Sequence, residues 1–517
     1  MRLDSPMMQN GMILQRGKEF PLTGRGKDDE CIKVEFQGQT YETKVQNGVW
    51  NLLLKTLQVG GPYELTIESA HETKHIEDIL VGDVYFLSGQ SNMALEIQWI
   101  YHSFKDEIDA NDYDQIREFR VPITYNFVKP QDQLSGEWHK AMGEQKFPMS
   151  ALGYFFAKKR YETTKVPIGM IQTGVPGAPI EAFLKREYVD ATCISEIETD
   201  ICKSNEKMKN VLMQVEADRI QWDLQLKATD CGWKNDKDRA AQYSLNMDRF
   251  DWDSCEIPIL IKSKIIENKS GVIWFHKEIS LTEEDLKTDA ILKLGLIVES
   301  DITYINGVEI GTTDYQYPPR RYVVPCKHLQ LGGNSICIRV VFENGICRFW
   351  EEQEYCLTTS GHKYDLTVGE WNYKYGAILE SPAPEKIFFE YKPVGLYNAM
   401  IAPLAKYPFA GILWYQGESN THNPLFYSQK LQVLIQQLRE EFEDEHLPFY
   451  FVQIADYKDI NDEDGTKWRA LRQEQEKTLL VDHTKMVVSM DVGDRTDLHP
   501  QNKKAIGERL ALCTLEN

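Results

Sequence analysis

The stretch from residue 81 to residue 93 constrains the fold more than any other part of this sequence. It reads VGDVYFLSGQSNM, an apolar, β-prone run that leads into a glycine and then Ser91. A strand that ends in Gly-x-Ser presents the serine hydroxyl at the carboxyl edge of a sheet, where open α/β folds place their active sites. Gly89 permits a tight turn, and a following helix would aim its first N–H groups towards the serine. The pattern predicts an α/β domain with Ser91 as a candidate nucleophile, although similar turns also occur in inert loops.

Two distant segments strengthen this hypothesis. Residues 491–500 read DVGDRTDLHP, and residues 411–420 read GILWYQGESN, another apolar strand that runs into a polar turn. A serine hydroxyl needs an adjacent base, and the base needs a partner that holds its tautomer. His499 and Asp497 offer both groups in one loop, although an Asp-x-His surface turn would have the same sequence. The three strand ends suggest one shared sheet edge.

These motifs together resemble the sialate O-acetylesterase family, a branch of the SGNH (GDSL-like) hydrolases with acetylxylan esterases as relatives. The resemblance is carried by GQSNM, by WYQGESN and by a terminal D-x-HP that precedes a K…G-x-R-L helix. Residues 168–183, IGMIQTGVPGAPIEAF, are similar to the family's second block. Residues 7–16 and 396–404 resemble its N-terminal opening and the lead into its third block. The five ordered motifs spread the resemblance over nearly the whole chain.

The resemblance implies a role for each candidate residue. Ser91 would attack an ester carbonyl, His499 would take its proton and Asp497 would orient the imidazole. The oxyanion formed in this attack needs preorganised hydrogen-bond donors. The backbone N–H groups of Ser91 and Gly177 and the side-chain amide of Gln416 fit the family's three donors.

Three further residues are candidate supports of the site. An ionised Glu418 can accept hydrogen bonds but cannot donate them, so we expect it to brace the nucleophile turn or the His499 loop. Gln90 and Asn92 flank Ser91 and are expected to hold the same turn.

The chain departs from the family pattern at two places. Many superfamily members carry the acid three residues before the histidine, where this chain has Thr496. Asp497, Asp494 and a backbone carbonyl are therefore alternatives for orienting the ring, with Asp497 preferred. Val175-Pro176 replaces the usual Trp-Gly of the second block, which changes the predicted pocket wall and removes one N–H.

Charge and composition limit the classes of partner. The 517 residues include 58 Lys and Arg against 79 Asp and Glu, a net charge of −21. This balance argues against nucleic acid or an anionic membrane as a partner, but it does not exclude an anionic sugar. There is no apolar run of about 18 residues, so we expect no transmembrane helix.

Cysteine and histidine spacing predicts no cofactor and no metal. The ten cysteines occur singly without C-x-x-C, and we expect them reduced and mostly buried, with a local disulfide among Cys337, Cys347 and Cys356 as the alternative in an oxidising compartment. The first residues lack an apolar signal segment. This predicts a cytoplasmic location if Met1 is the natural start, and a secreted or periplasmic one if a signal peptide is absent from the sequence.

The polar and apolar pattern divides the chain into four segments. We predict an N-terminal all-β domain at 1–82, the first part of a hydrolase domain at 83–231, an inserted β-sandwich at 232–371 and the second part of the hydrolase domain at 372–517. By resemblance, the hydrolase domain is an SGNH three-layer α/β/α domain with a parallel sheet. The insertion is by resemblance jelly-roll-like and of a sugar-binding type.

Several local predictions accompany this division. A polar helix is expected from 196 to 224, and Asn306-Gly307 is a strong hairpin-turn signal inside the insertion. Arg320, Arg321 and Tyr322 are candidate ligands for a sugar carboxylate, with a surface ion pair as the commoner alternative.

The predicted function is a serine esterase that hydrolyses O-acetyl esters on sugars through an acetyl-serine intermediate. By resemblance, the leading substrate is O-acetylated sialic acid, free or in an oligosaccharide. Acetylxylan or another acetyl-sugar is the alternative. A non-catalytic carbohydrate-binding protein is the alternative of another class. A histidine base predicts a rate that rises between about pH 5 and 8.

Overall fold

The computed structural model describes residues 2–4, 7–55, 57–233, 236–245, 251–459, 462 and 464–515. The chain divides into two compact units. The first unit contains residues 1–208, 388–495 and 499–517, and the second contains residues 209–387 and 496–498. The four-segment division with boundaries at 82, 231 and 371 stays a prediction.

Strands make up most of both units. Between residues 2 and 172 the described strands are β1 (Arg2–Leu3), β2 (Ile13–Gln15), β3 (Phe20–Arg25), β4 (Cys31–Phe36), β5 (Gln39–Lys44), β6 (Val49–Leu54), β7 (Gly60–Glu68), β8 (Thr73–Gly89), β9 (Tyr113–Arg120), β10 (Glu137–Ala141) and β11 (Ile168–Gln172). Between residues 253 and 487 they are β12 (Asp253–Cys255), β13 (Leu260–Ile261), β14 (Ser270–Leu281), β15 (Ala290–Gly295), β16 (Ile297–Val298), β17 (Ser300–Ile305), β18 (Val308–Thr313), β19 (Arg320–Val324), β20 (Gly332–Phe342), β21 (Cys347–Phe349), β22 (Tyr355–Thr358), β23 (Lys363–Asp365), β24 (Trp371–Leu379), β25 (Gly411–Tyr415), β26 (Phe449–Val452) and β27 (Thr484–Val487). The described α-helices are α1 (Ser91–Ala94), α2 (Ile97–Asp109), α3 (Ala151–Thr164), α4 (Ala191–Ile197), α5 (Asn205–Thr229), α6 (Lys237–Leu245), α7 (Tyr427–Glu441), α8 (Thr466–Lys477) and α9 (Lys503–Leu515).

A parallel sheet forms the centre of the first unit. Its strand order is β10-β9-β11-β8-β25-β26-β27, and only the edge strand β10 runs antiparallel to its neighbour among these described strands. Every residue of β8 from Ile79 to Gly89 is buried. Parallel strands covered on both faces have continuous apolar sequences, which is why the run after Val81 predicted this strand. The chain is therefore α/β, and the carboxyl ends of six parallel strands share one edge.

The described secondary-structure elements of this unit up to Gly89 are all strands. The first half of β8 pairs with β7 and β2, and β7 continues the sheet to β4 and β5. The strands β1, β3 and β6 form a separate antiparallel sheet.

One of the two predicted helices is confirmed and the other is wrong. The structure has α9 where the K…G-x-R-L helix was expected, and α3 and α9 bury Phe155 and Ile506 against the same sheet core. The single polar helix expected from 196 to 224 is wrong, because α4 ends at Ile197 and α5 starts at Asn205. The Ser204 hydroxyl accepts the N–H of Lys207 and caps the new helix. No helix in the described part of the chain has the length and apolar character needed to span a membrane.

The second unit contains antiparallel sheets. The largest has the order β12-β24-β14-β20-β17-β18, beside a four-stranded sheet β19-β15-β22-β23 and a three-stranded sheet β13-β21-β16. Apolar side chains from these sheets, including Phe275, Ile338 and Leu357, share one core. The Asn306-Gly307 hairpin is confirmed: it joins β17 to β18, and both residues have positive φ angles of 48° and 78°.

Arg320 has a role that the sequence did not predict. Its side chain is fully buried, and its Nε lies 2.7 Å from a carboxylate oxygen of the equally buried Asp301. Surface placement was therefore wrong, because this arginine belongs to the interior of the second unit.

Candidate active site

The turn after β8 presents Ser91 at the carboxyl edge of the parallel sheet. The strand ends at Gly89, and α1 begins at Ser91. Gly89 has a φ of +127°, and a Cβ at this position would lie 2.1 Å from the carbonyl oxygen of Tyr415 on the neighbouring strand. Only glycine fits here without displacing β25. The N–H of Gln90 donates to the same Tyr415 oxygen at 2.9 Å, which holds the turn against β25.

His499 reaches the serine from the loop between β27 and α9. Its Nε2 lies 2.9 Å from the Ser91 Oγ, although 408 positions separate the two residues in sequence. Burial and the nearby Lys503 ammonium lower the pKa of His499 to about 3. The imidazole is therefore neutral, and able to accept a proton, at every pH well above that value. A rate that rises between pH 5 and 8 is no longer expected.

The two candidate acids differ in their exposure to water. Asp497 is 1% exposed, whereas Asp494 is an exposed residue. Asp497 lies in the stretch 496–498, which is grouped with the second unit. Within that unit, Nε2 of Gln353 donates to the carbonyl oxygen of Thr496 at 2.6 Å and fixes the start of the stretch. Of the two carboxyls, Asp497 alone is shielded from solvent.

The loop after β11 places Gly177 at the same edge. The N–H of Val175 donates to the Gly89 carbonyl oxygen at 2.9 Å, so this loop is bonded directly to the nucleophile turn. Gly177 has a φ of +75°, and a Cβ there would lie 2.2 Å from the Tyr391 hydroxyl. Within the residues that the structure describes, the N–H groups of Ser91 and Gly177 donate to no protein acceptor. Both donors are thus available for a ligand oxygen.

The turn after β25 ties these two loops together. The Gln90 side-chain oxygen accepts the N–H groups of Gly417 and Ser419, each at 3.3 Å. The Ser419 hydroxyl donates to the Gly177 carbonyl oxygen at 2.8 Å. Gln90 therefore holds the nucleophile turn, and Ser419, which the sequence analysis did not single out, orients the Gly177 peptide.

Gln416 is fully buried in a network of its own. Its Nε2 donates to Asn420 Oδ1 at 2.7 Å and to the Ala178 carbonyl oxygen at 3.3 Å. Its Oε1 accepts the Tyr427 hydroxyl at 2.7 Å. Both amide hydrogens are engaged, the second one at a long distance.

Asn92 and Glu418 meet beneath the nucleophile turn, together with a lysine that the sequence analysis missed. Asn92 Nδ2 donates to Glu418 Oε1 at 2.6 Å, and Lys503 Nζ donates to Asn92 Oδ1 at 2.6 Å. Burial raises the pKa of Glu418, while the Asn92 bond and Lys503 act in the opposite direction. The sequence did contain a signal for Lys503, since it is the lysine of the K…G-x-R-L helix. Lysines are rarely buried, so this residue was not expected in the interior.

The described part of the chain offers no group of three or more His, Cys, Asp or Glu side chains that could hold a metal ion. Cys337, Cys347 and Cys356 are buried thiols and form no disulfide with one another. Cys31 is exposed, and the other cysteines are buried or partly buried.

The parallel sheet, the serine turn and the histidine at hydrogen-bond distance define a class: α/β proteins with a serine–histidine site at the carboxyl edge of the sheet. The sequence model of one family, described as carbohydrate esterase, sialic acid-specific acetylesterase, matches residues 81–226 and 383–516. The chain belongs to this family.

Curated relatives match a smaller part of the chain. The sialate O-acetylesterase of Rattus norvegicus is 31% identical over 203 residues, which cover 36% of this chain and 38% of the relative. The sialate O-acetylesterase of Homo sapiens is 30% identical over 196 residues, or 34% of this chain and 37% of the relative. The chain thus spans less than two fifths of the length of these relatives.

A solved structure extends the similarity in fold. A carbohydrate acetylesterase from Xanthomonas citri superposes on 98% of this chain and 73% of its own, with a TM-score of 0.57 and 22% sequence identity. The similarity covers both units of the chain.

Proposed function

We propose that this chain is a serine esterase that removes O-acetyl groups from sugars. The observation that carries the proposal is the 2.9 Å separation between Ser91 Oγ and His499 Nε2. A neutral imidazole at this distance can take the hydroxyl proton as the oxygen attacks an ester. Family membership supports a sugar acetate as the ester.

The reaction proceeds in two balanced steps. Ser91 Oγ bonds to the acetyl carbonyl carbon, its proton passes to His499 Nε2, and the tetrahedral intermediate then releases the sugar oxygen, which leaves with that proton. A water molecule next loses a proton to His499 and attacks the acetyl-serine. Collapse of the second intermediate returns the proton to Ser91 and releases acetate.

Three donors are proposed for the oxyanion. The N–H groups of Ser91 and Gly177 have no protein acceptor among the described residues. Gln416 would contribute the amide hydrogen that now points at Ala178 over the long distance of 3.3 Å. Each preorganised donor contributes about 3 kcal/mol to transition-state stabilisation.

Asp497 is the proposed partner of the imidazole. A carboxylate that orients a catalytic histidine works best when water does not screen it. Asp497 is buried and Asp494 is exposed, which supports the choice.

The leading substrate is O-acetylated sialic acid, because the matching family is described as sialic acid-specific. Acetylated xylan fragments and other acetyl-sugars are the alternative. We also propose the SGNH three-layer arrangement for the first unit and a jelly-roll-like sandwich for the second. The parallel sheet and the antiparallel sheets support these assignments.

The test compares hydrolysis of a chromogenic acetate by the wild type, by Ser91→Ala and by the control Ser103→Ala, whose exposed serine lies on α2. We expect Ser91→Ala to lose at least about a thousandfold in kcat and the control to keep full activity. A panel of O-acetylated sialic acids and xylo-oligosaccharides then ranks substrates by kcat/KM. An inert wild type that still binds the sugars would replace the proposal with a binding protein.

A further inference from the structure

Lys503, Asn92 and Glu418 form a buried chain of hydrogen bonds directly behind the nucleophile. We propose that Lys503 is a positioning residue that fixes Asn92, and through it the nucleophile turn, against the Glu418 carboxylate. The two bonds of the chain, Lys503 Nζ to Asn92 Oδ1 and Asn92 Nδ2 to Glu418 Oε1, are both 2.6 Å long. The inference rests on the proposed function of the same site.

The three residues come from three separate motifs and are all withdrawn from water. Lys503 is 0% exposed, Asn92 1% and Glu418 7%. Burying an ammonium and a carboxylate is costly, and apolar side chains of similar volume stabilise a fold at least as well. A cluster kept solely for stability would not need these charges. Its place behind Ser91 indicates that it serves the site.

Anchoring Asn92 fixes the backbone that carries the oxyanion donor. Asn92 is the residue after Ser91, so a fixed Asn92 restricts the Ser91–Asn92 peptide unit and, through the Ser91 Cα, limits movement of the preceding unit that carries the Ser91 N–H. Donors stabilise the transition state only when they are already aimed at the developing charge. Loss of the anchor should therefore reduce kcat and leave KM almost unchanged.

Lys503 also places a positive charge beside the catalytic base. Among the described neighbours of His499 in this unit are Ser91 on α1 and Lys503 on α9, and the Glu418 carboxyl is connected to Lys503 through Asn92. The Tyr415 ring centre lies 6.0 Å from Lys503 Nζ, and burial raises the pKa of this phenol, which stays neutral. The Lys503 ammonium lowers the pKa of His499. Removing the ammonium should move the acidic limb of the rate profile to higher pH.

The experiment compares Lys503→Met with Lys504→Met. Lys504 is the next residue on α9, and its ammonium lies 2.6 Å from Glu107 in a partly exposed ion pair. We measure kcat and KM for an acetate ester, the pH profile, and the rate at which a small fluorophosphonate labels Ser91. In Lys503→Met, kcat and the labelling rate should each fall about tenfold or more, while KM stays unchanged. The acidic limb of its pH profile should lie at higher pH than in the wild type. Lys504→Met should match the wild type. Equal kcat and labelling rates in the two variants would overturn the proposal.

A second pair of variants keeps the test valid if Lys503→Met does not fold. Asn92→Asp places two carboxylates face to face, whereas Asn92→Asp with Glu418→Gln restores a donor opposite an acceptor. The double variant should recover most of the labelling rate lost in Asn92→Asp, and no recovery would overturn the proposal. Labelling is independent of the sugar, so a wild type that labels but hydrolyses no sugar acetate would refute only the proposed function.

Discussion

Two buried charged clusters, one in each unit, are built on different principles. In the second unit, Asp301 accepts hydrogen bonds from Arg320, Thr303 and Tyr322. Three further guanidinium hydrogens of Arg320 go to backbone carbonyl oxygens of Glu299, Gln316 and Pro318.

In the first unit, an amide stands between the charges of Lys503 and Glu418. Glu418 Oε2 has no hydrogen-bond partner within the described residues. Leaving a buried polar atom unpaired costs about 1–3 kcal/mol. The Asp301–Arg320 cluster of the second unit is thus hydrogen-bonded more fully than the cluster behind Ser91, and this difference supports our proposal that the cluster behind Ser91 is kept for the site rather than for stability.

Arg320→Met should have the largest effect on stability. It leaves Asp301 buried without its partner, which should lower the free energy of unfolding by about 3–5 kcal/mol. The kcat at temperatures where the variant is folded should be that of the wild type. Thermal denaturation checks the first expectation, with Arg321→Met as the neighbouring control. The double variant Asp301→Leu with Arg320→Met should regain most of the lost free energy of unfolding. A lower kcat in Arg320→Met would contradict the view that this cluster serves stability alone.

Glu118→Gln should change stability in a pH-dependent way. Burial raises the pKa of the Glu118 carboxyl from 4.5 to about 7, a difference worth about 3 kcal/mol. Because the folded state binds this proton more tightly, Glu118 lowers stability progressively as the pH rises from about 4.5 through about 7. The variant should therefore gain stability over the wild type at pH 8 relative to pH 5. Denaturant titrations at both values check this, and the exposed Glu162→Gln should show no such gain.

Gln416→Leu should affect both rate and stability. Loss of the amide removes one hydrogen bond each from Asn420, Ala178 and Tyr427, at a cost of about 1–3 kcal/mol. Loss of the proposed oxyanion donor should lower kcat about a hundredfold. Kinetics and thermal denaturation on the same sample separate the two effects. A stability loss with kcat intact would make Gln416 a structural residue alone.

The smallest expected effect is the change of the wild-type kcat/KM with pH. With the pKa of His499 lowered to about 3, the base is neutral throughout the range from about pH 5 to 8, and kcat/KM should be flat there. The rate should fall only as the pH approaches 3. If kcat/KM changes near pH 7 in the wild type but not in Glu118→Gln, titration of Glu118 causes the change. If the change persists in this variant, His499 has an ordinary pKa, which would contradict the prediction.

The sequence predicted the strands and turns of the site well, because local patterns determine them. The apolar run of β8 and the Asn306-Gly307 hairpin follow from burial and turn chemistry between near neighbours. The approach of His499 to Ser91 was expected because polar turns after distant strands suggested one sheet edge, and the resemblance to a known family supported the pairing; its distance of 2.9 Å could not be predicted.

Other features depend on contacts that no local pattern contains. Lys503 bonds to a residue 411 positions away, and Arg320 to one 19 positions away on another strand. Both side chains are of types that usually face water, so their burial could not be predicted from residue type.

The most direct test of the serine mechanism is detection of the acetyl-Ser91 intermediate. Wild-type protein is mixed with an activated acetate ester, quenched in acid within the first turnover, digested and analysed by mass spectrometry. We expect one added acetyl group on the peptide that contains Ser91, absent in Ser91→Ala and strongly reduced in His499→Gln. The control His446→Gln, at an exposed histidine, should be acetylated like the wild type. Turnover without any acetyl group on Ser91, or an acetyl group on another residue, would contradict this mechanism.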